Sequence, residues 1–256
     1  MKYHPYHLVN PSPWPYIIGC GVLLLTSGLV IFFSYSKIFI FFIGFFIIIF
    51  TMILWFKDII RESTYQGLHT KSVLSGLKIG FILFIISEIL LFFSFFWAFF
   101  HSSLSPSIEI GLLWPPLNIE ALNPFSIPLL NTAILLSSGA TVTWTHHCLL
   151  KGEKKNVLKA LSLTISLGIL FTLFQVFEYY EASFSISDSV YGAVFFIATG
   201  FHGFHVLIGT LFLGICLIRI NFSHFTISHH FGFEAASWYW HFVDVVWLFL
   251  FICIYW

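Results

Sequence analysis

The sequence predicts an all-α, polytopic membrane protein with seven transmembrane helices. Two observations carry this reading. Of 256 residues, 59% are hydrophobic and only 9% are charged, with 34 Phe, whereas soluble domains carry about 25% charge. Apolar stretches of roughly 20 residues, the length that crosses a bilayer, also recur along the whole chain. At a mean hydropathy of +0.95, the chain has too little polar surface to face water, which excludes a soluble enzyme. Eleven basic and eleven acidic residues balance to zero, which excludes a nucleic-acid partner bound through a basic face. Cys20, Cys148, Cys216 and Cys253 lie far apart with no CxxC pair, so neither a disulfide framework nor a thiolate metal site is expected.

The elements follow in order. Ile17–Ser34 is the first span, entered through the stiff Pro11-Ser12-Pro13-Trp14-Pro15 segment. Ile38–Phe56 is the second, and Ile79–Phe100 the third, interrupted only by Glu88. Ile127–Thr145 is the fourth and most polar, with Pro128 tolerated in its first turn. Val157–Phe177, the long Val190–Ile218 and the terminal Ala235–Trp256 complete the set.

An odd number of crossings takes its orientation from the charges. With the N-terminus on side one, that side receives Lys2, Lys57, Arg61, Lys71, Lys78, Lys151, Lys154, Lys155, Lys159 and Arg219. Side two receives Lys37 alone, while Glu109, Glu120, Glu178, Glu181 and Asp188 gather there. Positive charge marks the inner face, so the N-terminus is expected in the cytoplasm or the equivalent mitochondrial matrix. That orientation argues against a seven-helix receptor. The start, Met1-Lys2-Tyr3-His4-Pro5-Tyr6-His7, shows no Arg-rich amphipathic pattern and no A-x-A site follows the first span, so no cleaved targeting segment is expected. If the protein is mitochondrial, it is expected to be made inside the organelle.

Polar groups that a membrane should exclude mark the candidate sites. Glu88 lies ten residues from Lys78 and thirteen from His101, hence roughly 15–20 Å from either end of its helix. At that depth an acid is expected to be protonated or paired. His202 and His205 are three residues apart in the sixth span, as are His241 and Asp244 in the seventh. As a metal site this ligand set is thin. Gly200, Gly203 and Gly209 point instead to a close-packing face with interhelical hydrogen bonds. His146, His147, His224, His229 and His230 fall at side-one helix ends or loops. They lack the HxxxH and HxxHH boxes of a membrane di-iron oxygenase, and no histidine pair is placed to hold a haem. No redox centre and no metal site are expected in this chain. The side-one segment from Trp55 through Lys57-Asp58-Ile59-Ile60-Arg61-Glu62 to Tyr65, His69 and Lys71 pairs an interfacial aromatic with basic groups. It suits an anionic phospholipid headgroup, with Arg219 and His224 on the same side as further contacts. A stand-alone transporter using Glu88, His202 and Asp244 as a proton relay is the alternative reading.

Taken in order, the residues resemble the cytochrome c oxidase subunit III family. The resemblance runs from His7-Leu8-Val9-Asn10-Pro11-Ser12-Pro13-Trp14-Pro15 to the C-terminus. It includes Ile60-Arg61-Glu62-Ser63-Thr64, Ile85-Ile86-Ser87-Glu88, Phe96-Trp97-Ala98-Phe99, His101-Ser102-Ser103-Leu104 and Trp114-Pro115-Pro116. Further on come Pro128-Leu129-Leu130-Asn131-Thr132, Glu178-Tyr179-Tyr180-Glu181-Ala182, Ala198-Thr199-Gly200-Phe201-His202-Gly203, Phe231-Gly232-Phe233-Glu234-Ala235 and Trp238-Tyr239-Trp240-His241-Phe242-Val243-Asp244.

The resemblance implies a two-helix hairpin within residues 1–68 and a five-helix bundle in 69–256, separated by a lipid-filled cleft. It implies a subunit without haem or copper. Haem a and copper sit in partner subunits, with subunit I as the main contact and subunit II and accessory subunits nearby. It implies support of electron transfer from cytochrome c to oxygen and of coupled proton pumping in the mitochondrial inner membrane. Glu88 matches the family's buried carboxylate. Bound phospholipid (phosphatidylglycerol, phosphatidylethanolamine or cardiolipin) would contact Trp55, Arg61, Glu62, His69, Arg219 and His224. The sequence departs from the family at Phe56, where a second Trp is frequent, and at Lys57, where Arg is common.

Overall fold

The computed structural model describes residues 6–256. Lys2, counted above among the side-one charges, and the first five residues of the leader reading lie outside them. The described residues form α1 (Trp14–Tyr35), α2 (Phe39–Thr64), α3 (Lys71–Leu104), α4 (Ile127–Leu150), α5 (Lys154–Glu181), α6 (Val190–Asn221) and α7 (Phe231–Leu250). A 3₁₀ turn, Ile108–Ile110, follows α3, and a π-helical turn, Phe251–Tyr255, extends α7. No strand occurs among the described residues. All seven helices are long and apolar enough to cross a membrane.

The helices overrun the spans read from sequence, most of all α3, whose 34 residues reach about 50 Å against a hydrocarbon core of about 30 Å. Charged residues end an apolar run but do not end a helix. Lys78, Arg61 and Arg219 lie inside helices and Lys71 opens α3, so backbone hydrogen bonding continues past the apolar runs.

The chain divides into two compact units, Met1–Leu77 and Lys78–Trp256. In the first unit α1 begins behind Pro13, with a second proline in its first turn, where the missing N–H has no helical partner to lose. It ends at Ser36 in a left-handed conformation, and α2 returns antiparallel. The two backbones nearly touch. A Cβ at Gly28 would overlap the backbone of Phe41, and one at Gly44 the backbone of Leu25. Lipid tails are as apolar as leucine, so close backbone approach through small residues drives such contacts. Trp14 Nε1 donates to Asp58 Oδ2 at 2.7 Å, tying the start of α1 to the end of α2. Phe33, Phe46 and Phe50 remain exposed.

In the second unit α7 is the most enclosed helix. Buried residues make up 61% of its most apolar stretch, against 6% for α3. Trp240 and Trp247 are fully buried. Trp240 Nε1 donates to Ser138 Oγ (2.9 Å) and Trp247 Nε1 to Thr132 Oγ1 (3.0 Å), both on α4. Thr141 of α4 in turn meets Thr164 of α5 at 2.8 Å. The polarity of the fourth span therefore supplies its neighbours with hydrogen-bond partners, each net contribution about 1 kcal/mol. Ring contacts Phe84–Tyr239, Phe92–Phe242 and Phe96–Phe249 advance together along both chains, so α3 and α7 run parallel, as two odd-numbered spans must. The close-packing face expected from Gly200, Gly203 and Gly209 is corrected to a single position. Gly209 faces the Trp240 ring, whereas a Cβ at Gly203 would meet nothing within 4 Å and one at Gly200 only the Tyr179 hydroxyl at 3.9 Å. The third-residue spacing points these glycines at different neighbours. Gly168 of α5, unmarked in the sequence, is the other groove residue under Trp240.

Candidate functional site

Glu88 with His205, His202 and His241 resolve into separate interhelical ties. Glu88 of α3 brings Oε2 to 2.8 Å from His205 Nε2 of α6. His205 Nδ1 lies 2.7 Å from the Phe201 carbonyl one turn earlier, so Nδ1–H donates there. Nε2 then meets a carboxyl oxygen, and the contact requires one further proton on the pair. It exists as carboxylic acid with neutral imidazole, or as carboxylate with imidazolium. The expectation that Glu88 is protonated or paired thus takes a definite form: it is paired, and its partner lies on α6. The Glu88 side chain is 21% exposed and that of His205 only 7%. Phe92 and Phe242 pack edge-on against the imidazole, and Tyr239 stacks on it.

His202 addresses a different neighbour. Its Nε2 lies 3.1 Å from the Val243 carbonyl of α7, an acceptor, so this nitrogen donates and binds α6 to α7. Its ring sits between Phe171 and Trp247. His241 Nε2 lies 3.4 Å from Thr143 Oγ1 of α4. Asp244 occupies the space left by Gly139, where a Cβ would come within 2.7 Å of its Oδ2. His202, His205 and His241 each face their own partner, whereas Asp244 Oδ1 has no hydrogen-bond partner and its Oδ2 borders the same space beside Gly139 as His241 Nδ1. A register of three places two side chains on one helical face, yet His202 and His205 diverge enough to reach α7 and α3 respectively.

The residues expected to hold lipid fall in both units. In the first, Arg61 is exposed while Trp55, Glu62 and His69 are half-buried. Glu62 Oε2 is 3.9 Å from His7 Nε2, and His7 meets His69 edge-on at 5.4 Å. In the second, Arg219 is half-buried with its guanidinium 4.2 Å above the Phe225 ring, a cation–π contact. Its Nε has no hydrogen-bond partner. Gly232 makes room for it, since a Cβ there would lie 2.6 Å from an Arg219 terminal nitrogen. His224 donates its backbone N–H to the Arg219 carbonyl at 2.9 Å, and its ring stacks on Phe222.

Two polar groupings escaped the sequence reading. Lys78 Nζ pairs with Glu234 Oε2 at 2.7 Å, joining the α3 unit-two segment to the first turn of α7. Glu234 lies in the first turn of α7, where an acid also complements the helix dipole, and that position is the one sequence signal that could have found it. At the far end Tyr255 donates to Glu178 Oε1 at 2.5 Å, with Gln175 Nε2 at 3.3 Å from the same oxygen. No sequence periodicity announces that contact, because the π-helical turn shifts the register that carries Tyr255.

Comparison with known proteins agrees with this architecture. The family model described as "Cytochrome c oxidase subunit III" matches residues 4–256. The protein named "Cytochrome c oxidase subunit 3" from Branchiostoma lanceolatum is 59% identical over 253 residues, covering 99% of this chain and 97% of that protein. Its namesake from Pisaster ochraceus is also 59% identical, over 99% of this chain and 97% of that protein. The one from Sus scrofa is 58% identical with the same coverage of 99% and 97%.

Proposed function

The chain belongs to the cytochrome c oxidase subunit III family, and from that premise we propose how it serves the respiratory oxidase. It is a subunit of cytochrome c oxidase, complex IV, and the redox centres lie in other subunits. The single observation that carries this is the family match over residues 4–256, supported by relatives of about the same length. A stand-alone transporter is not favoured, since Glu88 and His202 bond to separate partners, His205 and the Val243 carbonyl, and Asp244 lies beside Gly139 with no bond joining it to either.

The finer reading is as follows. The protein sits in the mitochondrial inner membrane with its N-terminus in the matrix, the side that its basic residues favour. Subunit I is its main contact, with subunit II and accessory subunits beyond, and haem a and copper belong to those partners. The exposed aromatic and aliphatic side chains of α1–α3 meet lipid or neighbouring subunits. Phospholipid headgroups (phosphatidylglycerol, phosphatidylethanolamine or cardiolipin) bind at Trp55, Arg61, Glu62 and His69 in the first unit and at Arg219 and His224 in the second. The unpartnered Arg219 Nε supports the second set, because a buried donor calls for an acceptor and a phosphate oxygen supplies one. The Glu88–His205 pair fixes α3 to α6 and keeps one proton at that depth.

Gentle solubilisation tests the reading. The protein should co-migrate with haem-bearing partners in native electrophoresis, with the haem absorbance in the same band. A protein that migrates without haem and moves protons alone in liposomes would favour the transporter.

A further inference from the structure

We propose that His146, His230 and Glu234 form a binding site for a redox-inert divalent cation of the zinc class, where the end of α4 meets the start of α7. The site is independent of the lipid and proton roles above, and it uses histidines to which the sequence assigns no partner.

The geometry is specific. Each residue offers one ligand atom, and these atoms all lie within 4.8 Å of one another. Ligands around a tetrahedral zinc at about 2.0–2.1 Å stand roughly 3.3–3.5 Å apart, so a modest contraction closes the set. Two of the three ligands are already close, with His230 Nε2 at 3.3 Å from Glu234 Oε1. They share one helix face as an i, i+4 pair, anchored where the Phe233 and Glu234 backbone N–H groups donate to the His230 carbonyl. His146 arrives from just before the last turn of α4, its ring centroid 5.8 Å from that of His230. Both helices are held in register by the Trp240–Ser138 and Trp247–Thr132 bonds.

The orientation of His230 is the second observation. Its Nδ1 lies 3.0 Å from the Thr226 carbonyl, so Nδ1–H donates there and Nε2 is the nitrogen turned toward Glu234. Nε2 and a carboxylate oxygen face each other at 3.3 Å, an arrangement that either a proton or a metal ion holds together, and the third donor atom from His146 is what fits the metal. A backbone carbonyl that fixes the tautomer of a ligating histidine is the usual outer support of a metal site. Two imidazoles and one carboxylate suit zinc rather than magnesium or calcium, which prefer all-oxygen shells. His230 is buried while His146 and Glu234 are half-buried, so a fourth position remains for water.

Lys78 opposes the cation. Its Nζ lies 2.7 Å from Oε2 of Glu234, the oxygen that does not face His230, so both can share the carboxylate. Its charge still repels a metal, and this gives the proposal an unusual sign: removing a salt-bridge partner should tighten zinc binding.

The test uses the assembled, chelator-washed oxidase and zinc ion itself, with bound zinc counted per haem at a series of free zinc concentrations. Any other zinc in the complex cancels between wild type and variants. His146→Asn and Glu234→Gln should each weaken one zinc-binding step by more than about tenfold, the lower end of what losing even an outer-shell partner costs. Lys78→Gln should shift the same step to lower free zinc. His230→Ala should abolish it, and if that variant fails to assemble, the other three decide the outcome. Zinc binding that is the same in wild type, His146→Asn and Glu234→Gln would overturn the proposal. So would a Lys78→Gln complex that binds zinc more weakly, since the lysine would then support the site as a structural partner.

Discussion

Glu88 and His205 are 117 positions apart, and their contact turns a depth argument about one acid into a statement about a shared proton. With His205 Nδ1–H committed to the Phe201 carbonyl, a glutamine satisfies Nε2 in either protonation state: its amide N–H donates to a neutral ring and its amide oxygen accepts from an imidazolium. Glu88→Gln should therefore assemble into the complex with a melting temperature close to wild type. Glu88→Ala leaves His205 Nε2 facing an empty space within the apolar layer, and should cost about 1–3 kcal/mol, the penalty of a buried polar group left unpaired. Differential scanning of the purified complexes measures both. Equal destabilisation by Gln and Ala would mean that the pair depends on full charges rather than on a hydrogen bond.

Helix packing in this chain rests on a few positions where a side chain is forbidden or a ring must fit. Gly168→Ala and Gly209→Ala place a Cβ 2.6 Å and 2.9 Å from the Trp240 ring. Overpacking of this kind costs about 1–3 kcal/mol, so both should lower the thermal stability of the assembled subunit. Gly28→Val should do so more strongly, because the obstruction there is the Phe41 backbone, which has no rotamer to change. Gly203→Ala, with no atom within 4 Å, should leave stability unchanged, and the four variants can be ranked by chemical denaturation. The number and order of the helices were legible because lipid solvation demands long apolar runs, and charge bias marks their ends. Helix lengths were not, since Lys78 ends the apolar run without ending α3, which starts at Lys71. Depth was legible for Glu88, His202, His205, His241 and Asp244. Their partners were not, because the three-residue spacing of His202 and His205 says nothing about whether α3 or α7 lies opposite. Nor does a single span reveal that the hydroxyls of α4 serve the tryptophans of α7.

At the scale of the whole molecule, the chain contributes seven long apolar helices to a larger assembly. Arg61→Ala combined with Arg219→Ala should lower the phospholipid retained per haem through mild detergent purification, read by lipid mass spectrometry. Retention equal to wild type would remove the headgroup role of both residues. The central claim is membership of a haem-bearing oxidase complex, and it is tested most directly by native mass spectrometry of the gently solubilised protein with haem absorbance recorded on the same fraction. The account predicts that this 29.5 kDa chain is released only on activation, from a much larger particle that carries the haem. A chain that flies alone or as a homo-oligomer, free of haem while the haem-bearing particle lacks it, would contradict the account.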